Sequence, residues 1–146
     1  MTDLAGARAL LLEAALPHGG VVAGIGIDLC EVERIREAIA RHGPRFLSRI
    51  CAEGEVRRPP SSPALAGHVA GLFAAKEAAM KALGTGMRGV AFREIAVARE
   101  PGGPPRLALF GRAAARAVEI GVVAAHVSIT HDRRAAASVV LLLRAV

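Results

Sequence analysis

The sequence predicts an α+β domain, a small antiparallel sheet packed against a long central helix and several shorter ones. Three observations carry this reading. The stretch Ala64 to Leu83 is apolar or small on almost every face, as a buried helix is. Short apolar runs at Val21–Ile27, Ala125–Thr130 and Ala135–Leu143 have strand length and are bounded by turn residues. Between the first run and the long helix, Glu31 to Arg41 has the helical period. At 146 residues, 53% hydrophobic and 22% charged, the chain has the size and composition of one packed domain and not of a disordered one.

In order along the chain, Leu4 to Leu16 reads as a short helix closed by Pro17-His18-Gly19-Gly20, an N-terminal extension (1–20) to a main domain at 21–146. Val21 to Ile27 is a buried strand that Asp28 ends. The helix Glu31–Arg41 turns Val32, Ile35 and Ile39 inward and its charges outward. Pro44 opens a second short helix through Ile50, and Arg57-Arg58-Pro59-Pro60-Ser61-Ser62-Pro63 is a loop. The long helix stops at Gly84, a left-handed cap. Phe92–Ala98 and Arg106–Phe110 are strands joined across Pro101-Gly102-Gly103-Pro104-Pro105, and Gly111–Ile120 is a helix. Ala125–Thr130 and Ala135–Leu143 form a hairpin through His131-Asp132-Arg133-Arg134.

The net charge of +6 favours an anionic partner: nucleic acid, an anionic membrane surface, a phosphorylated small molecule or an acidic protein. With no Trp or Tyr and only four Phe, the chain lacks the stacking platforms of single-strand binders, which demotes nucleic acid. No apolar run reaches the roughly 20 residues of a membrane span, and the opening Met1-Thr2-Asp3 is unlike a secretory signal. The expected location is cytoplasmic. Cys30 and Cys51 have no metal-ligand spacing and read as free thiols. The basic residues are nearly all Arg, and the two lysines, Lys76 and Lys81, both lie in the long helix. That pattern marks positions where a planar guanidinium does not serve.

Taken singly, each polar residue in an apolar segment has two readings. Glu77 and Lys81 form a helical i,i+4 pair or belong to a site, since charges in apolar surroundings need partners. Asp28 is the N-cap of a capping box with Glu31, or a metal ligand at a strand's carboxyl end. Gly84-Thr85-Gly86 is a helix stop or a phosphate nest. Period two puts His126, Ser128 and Thr130 on one face, either solvated or the wall of a site.

Three stretches together resemble the short bacterial holo-acyl-carrier-protein synthases of the 4'-phosphopantetheinyl transferase superfamily. They are Gly24-Ile25-Gly26-Ile27-Asp28-Leu29-Cys30-Glu31-Val32-Glu33-Arg34-Ile35, Phe73-Ala74-Ala75-Lys76-Glu77-Ala78-Ala79-Met80-Lys81-Ala82-Leu83-Gly84-Thr85-Gly86 and His126-Val127-Ser128-Ile129-Thr130-His131-Asp132. The resemblance implies transfer of 4'-phosphopantetheine from coenzyme A to a serine of an apo acyl carrier protein, releasing 3',5'-ADP. It implies Asp28 and Glu77 as Mg²⁺ ligands, with Asp28, Glu77 and Lys81 as the catalytic set. Lys76, Lys81, Gly84, Thr85 and His126 would hold coenzyme A. Arg34, Arg41 and Arg45 would meet the acidic carrier protein, which serves fatty-acid, polyketide or peptide synthesis. It also implies a homotrimer with sites between subunits. Two departures stand out: Leu72 occupies a position where the family motif commonly reads Arg, and the segment before Glu53 lacks the usual Thr-Pro. Two other readings compete: a basic nucleic-acid-binding module, suggested by charge alone, and a catalytically silent carrier-binding subunit, suggested by Leu72.

Overall fold

The computed structural model describes Leu10–Leu11 and residues 19–146. Its strands are β1 (Leu10–Leu11), β2 (Val21–Glu31), β3 (Ile95–Arg99), β4 (Pro105–Leu109), β5 (Val122–His131) and β6 (Ala135–Arg144). Its helices are α1 (Val32–His42), α2 (Pro44–Ile50), α3 (Leu65–Leu83) and α4 (Gly111–Glu119). The class is the expected α+β, but the strands form two antiparallel sheets, ordered β2-β6-β5 and β1-β4-β3. The β3–β4 hairpin lies in the second sheet, where β1 pairs with the other edge of β4. None of the described helices is long and apolar enough to cross a membrane.

Most of the helix expected at 4–16 lies outside the described residues. The two that are described, Leu10 and Leu11, pair with Leu109 and Ala108 as a strand. An almost continuous apolar run carries no period that separates strand from helix.

The β2 strand does not end at Asp28. It runs on to Glu31, with Asp28 opposite Ser138 and Glu31 opposite Ala135. Glu31 then caps α1 without a side-chain bond, and the Val32 amide donates to the Arg134 carbonyl at 2.8 Å. The β6 ladder extends past the local capping signal, so Asp28 is a strand residue and its carboxylate is free for other work.

Alternation along β2 sends Gly24, Gly26 and Asp28 to one face and Ile25, Ile27 and Leu29 to the other. The glycine face lies against α3. A Cβ on Gly24 would fall on the Ala82 carbonyl oxygen, and one on Gly26 on the Ala78 carbonyl oxygen. Only glycine permits that approach, which brings the short Asp28 side chain to the helix. α3 is the centre of the core, with Val69, Ala70, Ala74, Ala75 and Ala78 fully buried. It ends at Gly84 in the left-handed conformation (φ 73°, ψ 17°), as expected.

One expected strand starts late. Phe92–Glu94 is a 3-10 turn, and extended structure begins at Ile95. The Glu94 carboxylate accepts from the Ala91 amide (2.7 Å) and the Arg112 amide (3.0 Å), so it folds the backbone back on itself. A side-chain bond to the backbone competes here with the ladder.

Candidate active site

The polar side chains of β2 and α3 converge at one place. Lys81 Nζ donates to Asp28 Oδ1 at 3.0 Å and to the Ile27 carbonyl at 2.8 Å. The second Asp28 oxygen, Oδ2, is buried and meets no donor. Glu77 lies beside it. Burial pushes the Glu77 carboxyl above its ordinary range, and the adjoining Asp28 carboxyl pushes in the same direction, while Lys81 and Arg34 pull it back. Two carboxyl groups side by side, one with an orphaned oxygen, need a shared proton or a cation. Two carboxylates are hard oxygen donors of the kind that suits Mg²⁺, an ion that keeps much of its own hydration. The helical i,i+4 reading of Glu77 and Lys81 fails on geometry: Lys81 bonds to β2 across the chain.

Lys81 and Lys76 divide sharply. The Lys81 side chain is 54% exposed and has one N–H left after its two bonds. Lys76 is 0% exposed. Its ammonium donates to Glu55 Oε2 (2.7 Å), the Ile95 carbonyl (2.7 Å) and the Phe92 carbonyl (3.2 Å), which uses all three N–H groups. The expectation that Lys76 holds coenzyme A is therefore corrected: the residue is sealed in the core as an internal tie. Glu55 completes that tie by accepting from the Ala52 and Val97 amides, each at 2.6 Å. The sequence reading missed Glu55 because nothing local links it to a lysine on a distant helix.

Gly84 and Thr85 lie at the end of α3, beyond Lys81. Their amides donate to the Lys81 and Met80 carbonyls (3.1 and 3.2 Å), so both are spent within the cap and form no anion nest. The Thr85 hydroxyl is the polar side-chain group this segment offers. His126 sits on the outer face of the sheet, paired with Leu141. That is the face of Ile25, Ile27 and Leu29, so within one chain His126 is on the side of the sheet away from Asp28 and Glu77. Arg34, Arg41 and Arg45 are all exposed. Arg34 is close enough to Glu77 to act on its charge, and Arg41 lies two turns further along the same side of α1.

A profile of the 4'-phosphopantetheinyl transferase superfamily matches residues 24–140, a span that contains all of these groups. The chain belongs to this superfamily. It is similar to the holo-[acyl-carrier-protein] synthase of Nitratidesulfovibrio vulgaris, 48% identical over 84% of this chain and 98% of the relative. The synthase of Koribacter versatilis is 47% identical over 83% and 98%. Among solved structures, the Plasmodium yoelii acyl carrier protein synthase with ADP bound superposes with a TM-score of 0.79 at 26% identity, covering 88% of this chain and 99% of that one. The Bacillus anthracis synthase in complex with CoA (3',5'-ADP) gives 0.69 at 32% identity, covering 87% and 100%.

Proposed function

We propose that this chain is a holo-acyl-carrier-protein synthase: it transfers 4'-phosphopantetheine from coenzyme A to a serine hydroxyl of an apo acyl carrier protein. The observation that carries the reading is the convergence of Asp28, Glu77 and Lys81 from distant parts of the sequence. The serine oxygen attacks the β-phosphorus, the bond from that phosphorus to the bridging oxygen breaks, and 3',5'-ADP leaves. Asp28 and Glu77 would hold a Mg²⁺ ion, whose chemistry is to neutralise the diphosphate and its leaving oxygen. Lys81 offers its remaining N–H to a phosphate oxygen, a compact charge for a compact anion. Glu77, with its raised proton affinity, takes the serine proton directly or through one water. Arg34, Arg41 and Arg45 steer an acidic carrier towards the site.

The active form in this reading is a homotrimer. Ile25, Ile27 and Leu29 are 66%, 69% and 69% exposed in one chain, an apolar sheet face that a second copy would cover. His126 on that face then serves a neighbour's coenzyme A. We place the reaction in the cytoplasm, with which the buried free thiols Cys30 and Cys51 agree.

The test is mass spectrometry of an apo carrier protein incubated with the protein, coenzyme A and Mg²⁺. A phosphopantetheine adduct is expected, lost on Glu77→Gln with the fold intact. Folded wild-type protein that modifies none of several carriers would overturn the reading in favour of a silent carrier-binding subunit.

A further inference from the structure

Lys81 stands in the last turn of α3, and a helix end leaves its final carbonyls without partners inside the helix. Here each has an identifiable neighbour. The Met80 carbonyl accepts from the Thr85 amide at 3.2 Å and the Lys81 carbonyl from the Gly84 amide at 3.1 Å. The Ala82 carbonyl lies against Gly24 of β2, where a Cβ has no room. The Leu83 carbonyl takes its partner from another element: Arg116 of α4 donates to it from Nε at 2.9 Å. The turn that carries Lys81 is therefore pinned between β2 on one side and α4 on the other.

Arg116 is itself held in place. Its side chain is half-buried, and Nη1 pairs with Glu119 Oε2 at 3.1 Å. Nη2 lies 3.5 Å from where a Cβ on Gly84 would sit. The helix behind it is anchored too. Ala113 and Ala117 are fully buried, and the Arg112 amide donates to Glu94 Oε1 at 3.0 Å. α4 is thus a strut from the turn before β3 to the end of α3. A guanidinium suits the far end of the strut. Its charge faces the negative pole of the α3 dipole, and its fork bonds the carbonyl through Nε while Nη1 is held from the side. The lysine stem is flexible, so the place of its ammonium depends on how firmly its backbone is held.

Resting on the function proposed above, we infer that Arg116 is a positioning residue for the transfer: by closing the last turn of α3 it holds Lys81 where the remaining N–H meets the coenzyme A diphosphate. Arg116 touches no substrate. Without it the last turn opens, and affinity for coenzyme A falls with the fraction of molecules in which the turn is closed. The effect passes through Lys81, so it vanishes where the Lys81 ammonium has already been removed.

The test is calorimetric titration of coenzyme A with Mg²⁺ into wild type, Arg116→Ala, Arg116→Lys, Lys81→Ala and the Arg116→Ala/Lys81→Ala double variant, with a melting temperature for each. Arg116→Ala weakens binding by about three- to tenfold, since a hydrogen bond from a charged donor is worth roughly a factor of ten in an equilibrium. Arg116→Lys, which still reaches the Leu83 carbonyl, recovers most of that loss. In the Lys81→Ala background, removing Arg116 changes the affinity by less than about twofold, yet lowers the melting temperature as much as it does alone. In the transfer assay Arg116→Ala raises KM for coenzyme A and leaves KM for the carrier protein unchanged. Where the alanine variant is too unstable, Arg116→Gln, which keeps much of the stem and loses the charge, carries the same comparison. Unchanged coenzyme A affinity in a folded Arg116 variant overturns the inference and leaves a helix cap with no part in binding. Equal weakening in both backgrounds overturns it as well, because the arginine then acts without Lys81. Lys81-dependent coupling in coenzyme A binding, alongside no transfer by wild type to any carrier, instead defeats the function proposed above and leaves the positioning role standing.

Discussion

Replacing Lys76 by Met separates a structural tie from a cofactor contact. The methionine side chain has similar length and fills most of the volume, so the change removes charge more than bulk. It deletes three hydrogen bonds, to Glu55, Ile95 and Phe92. It leaves a Glu55 side chain that is 4% exposed still bonded to two amides but without its counter-charge. Stranding one member of a buried pair costs about 3–5 kcal/mol. At roughly 2–4 °C per kcal/mol for a chain approaching this size, the melting temperature falls by on the order of 10 °C. Changing Glu55 to Gln in the same chain recovers part of the loss, since the remaining group no longer carries an unpaired charge. Denaturant and thermal unfolding of the single and double variants measure the coupling directly. At a temperature where the variant is folded, KM for coenzyme A stays at its wild-type value. An unaltered melting temperature together with a raised KM would refute the reasoning and return Lys76 to the cofactor site.

Two further outcomes follow from the same geometry. Gly26→Ala forces β2 away from α3, because the added methyl meets the Ala78 carbonyl; it costs about 1–3 kcal/mol and lowers transfer activity further by moving Asp28 off Glu77, as unfolding curves and carrier mass spectra register. His68 is held below its ordinary value of 6.5, first by burial and then by the arginines around it. Between the depressed folded value and 6.5 the unfolded chain binds more protons than the folded one, so stability rises with pH across that window. Melting temperatures measured downwards from pH 7 should fall, and fall less in His68→Gln.

Much of the architecture is legible in local pattern. The helix at 65–83, its glycine stop, the Pro44 helix and the final hairpin follow from apolar periodicity and turn residues, signals that depend on near neighbours. Where the reading strayed, a long-range partner outvoted a local one. Asp28 has the makings of an N-cap, but β6 extends the strand past it. Leu10 and Leu11 sit in a helix-like run, but the edge of β4 takes them as a strand. Phe92 has strand propensity, but the Glu94 carboxylate turns the chain.

The two lysines show the division most clearly. The sequence by itself marked Lys76 and Lys81 as places where arginine is not used, and offered Asp28, Glu77 and Lys81 as site candidates through the resemblance of three short motifs. It could not say that one lysine is shut in the core with Glu55 while the other meets Asp28. Nor could it bring Arg116 of α4 to the end of α3. Spacing along a chain fixes which residues share a face of one element. Which faces meet is decided by packing, here by the close approach of two glycines to one helix, and only the folded chain holds that information.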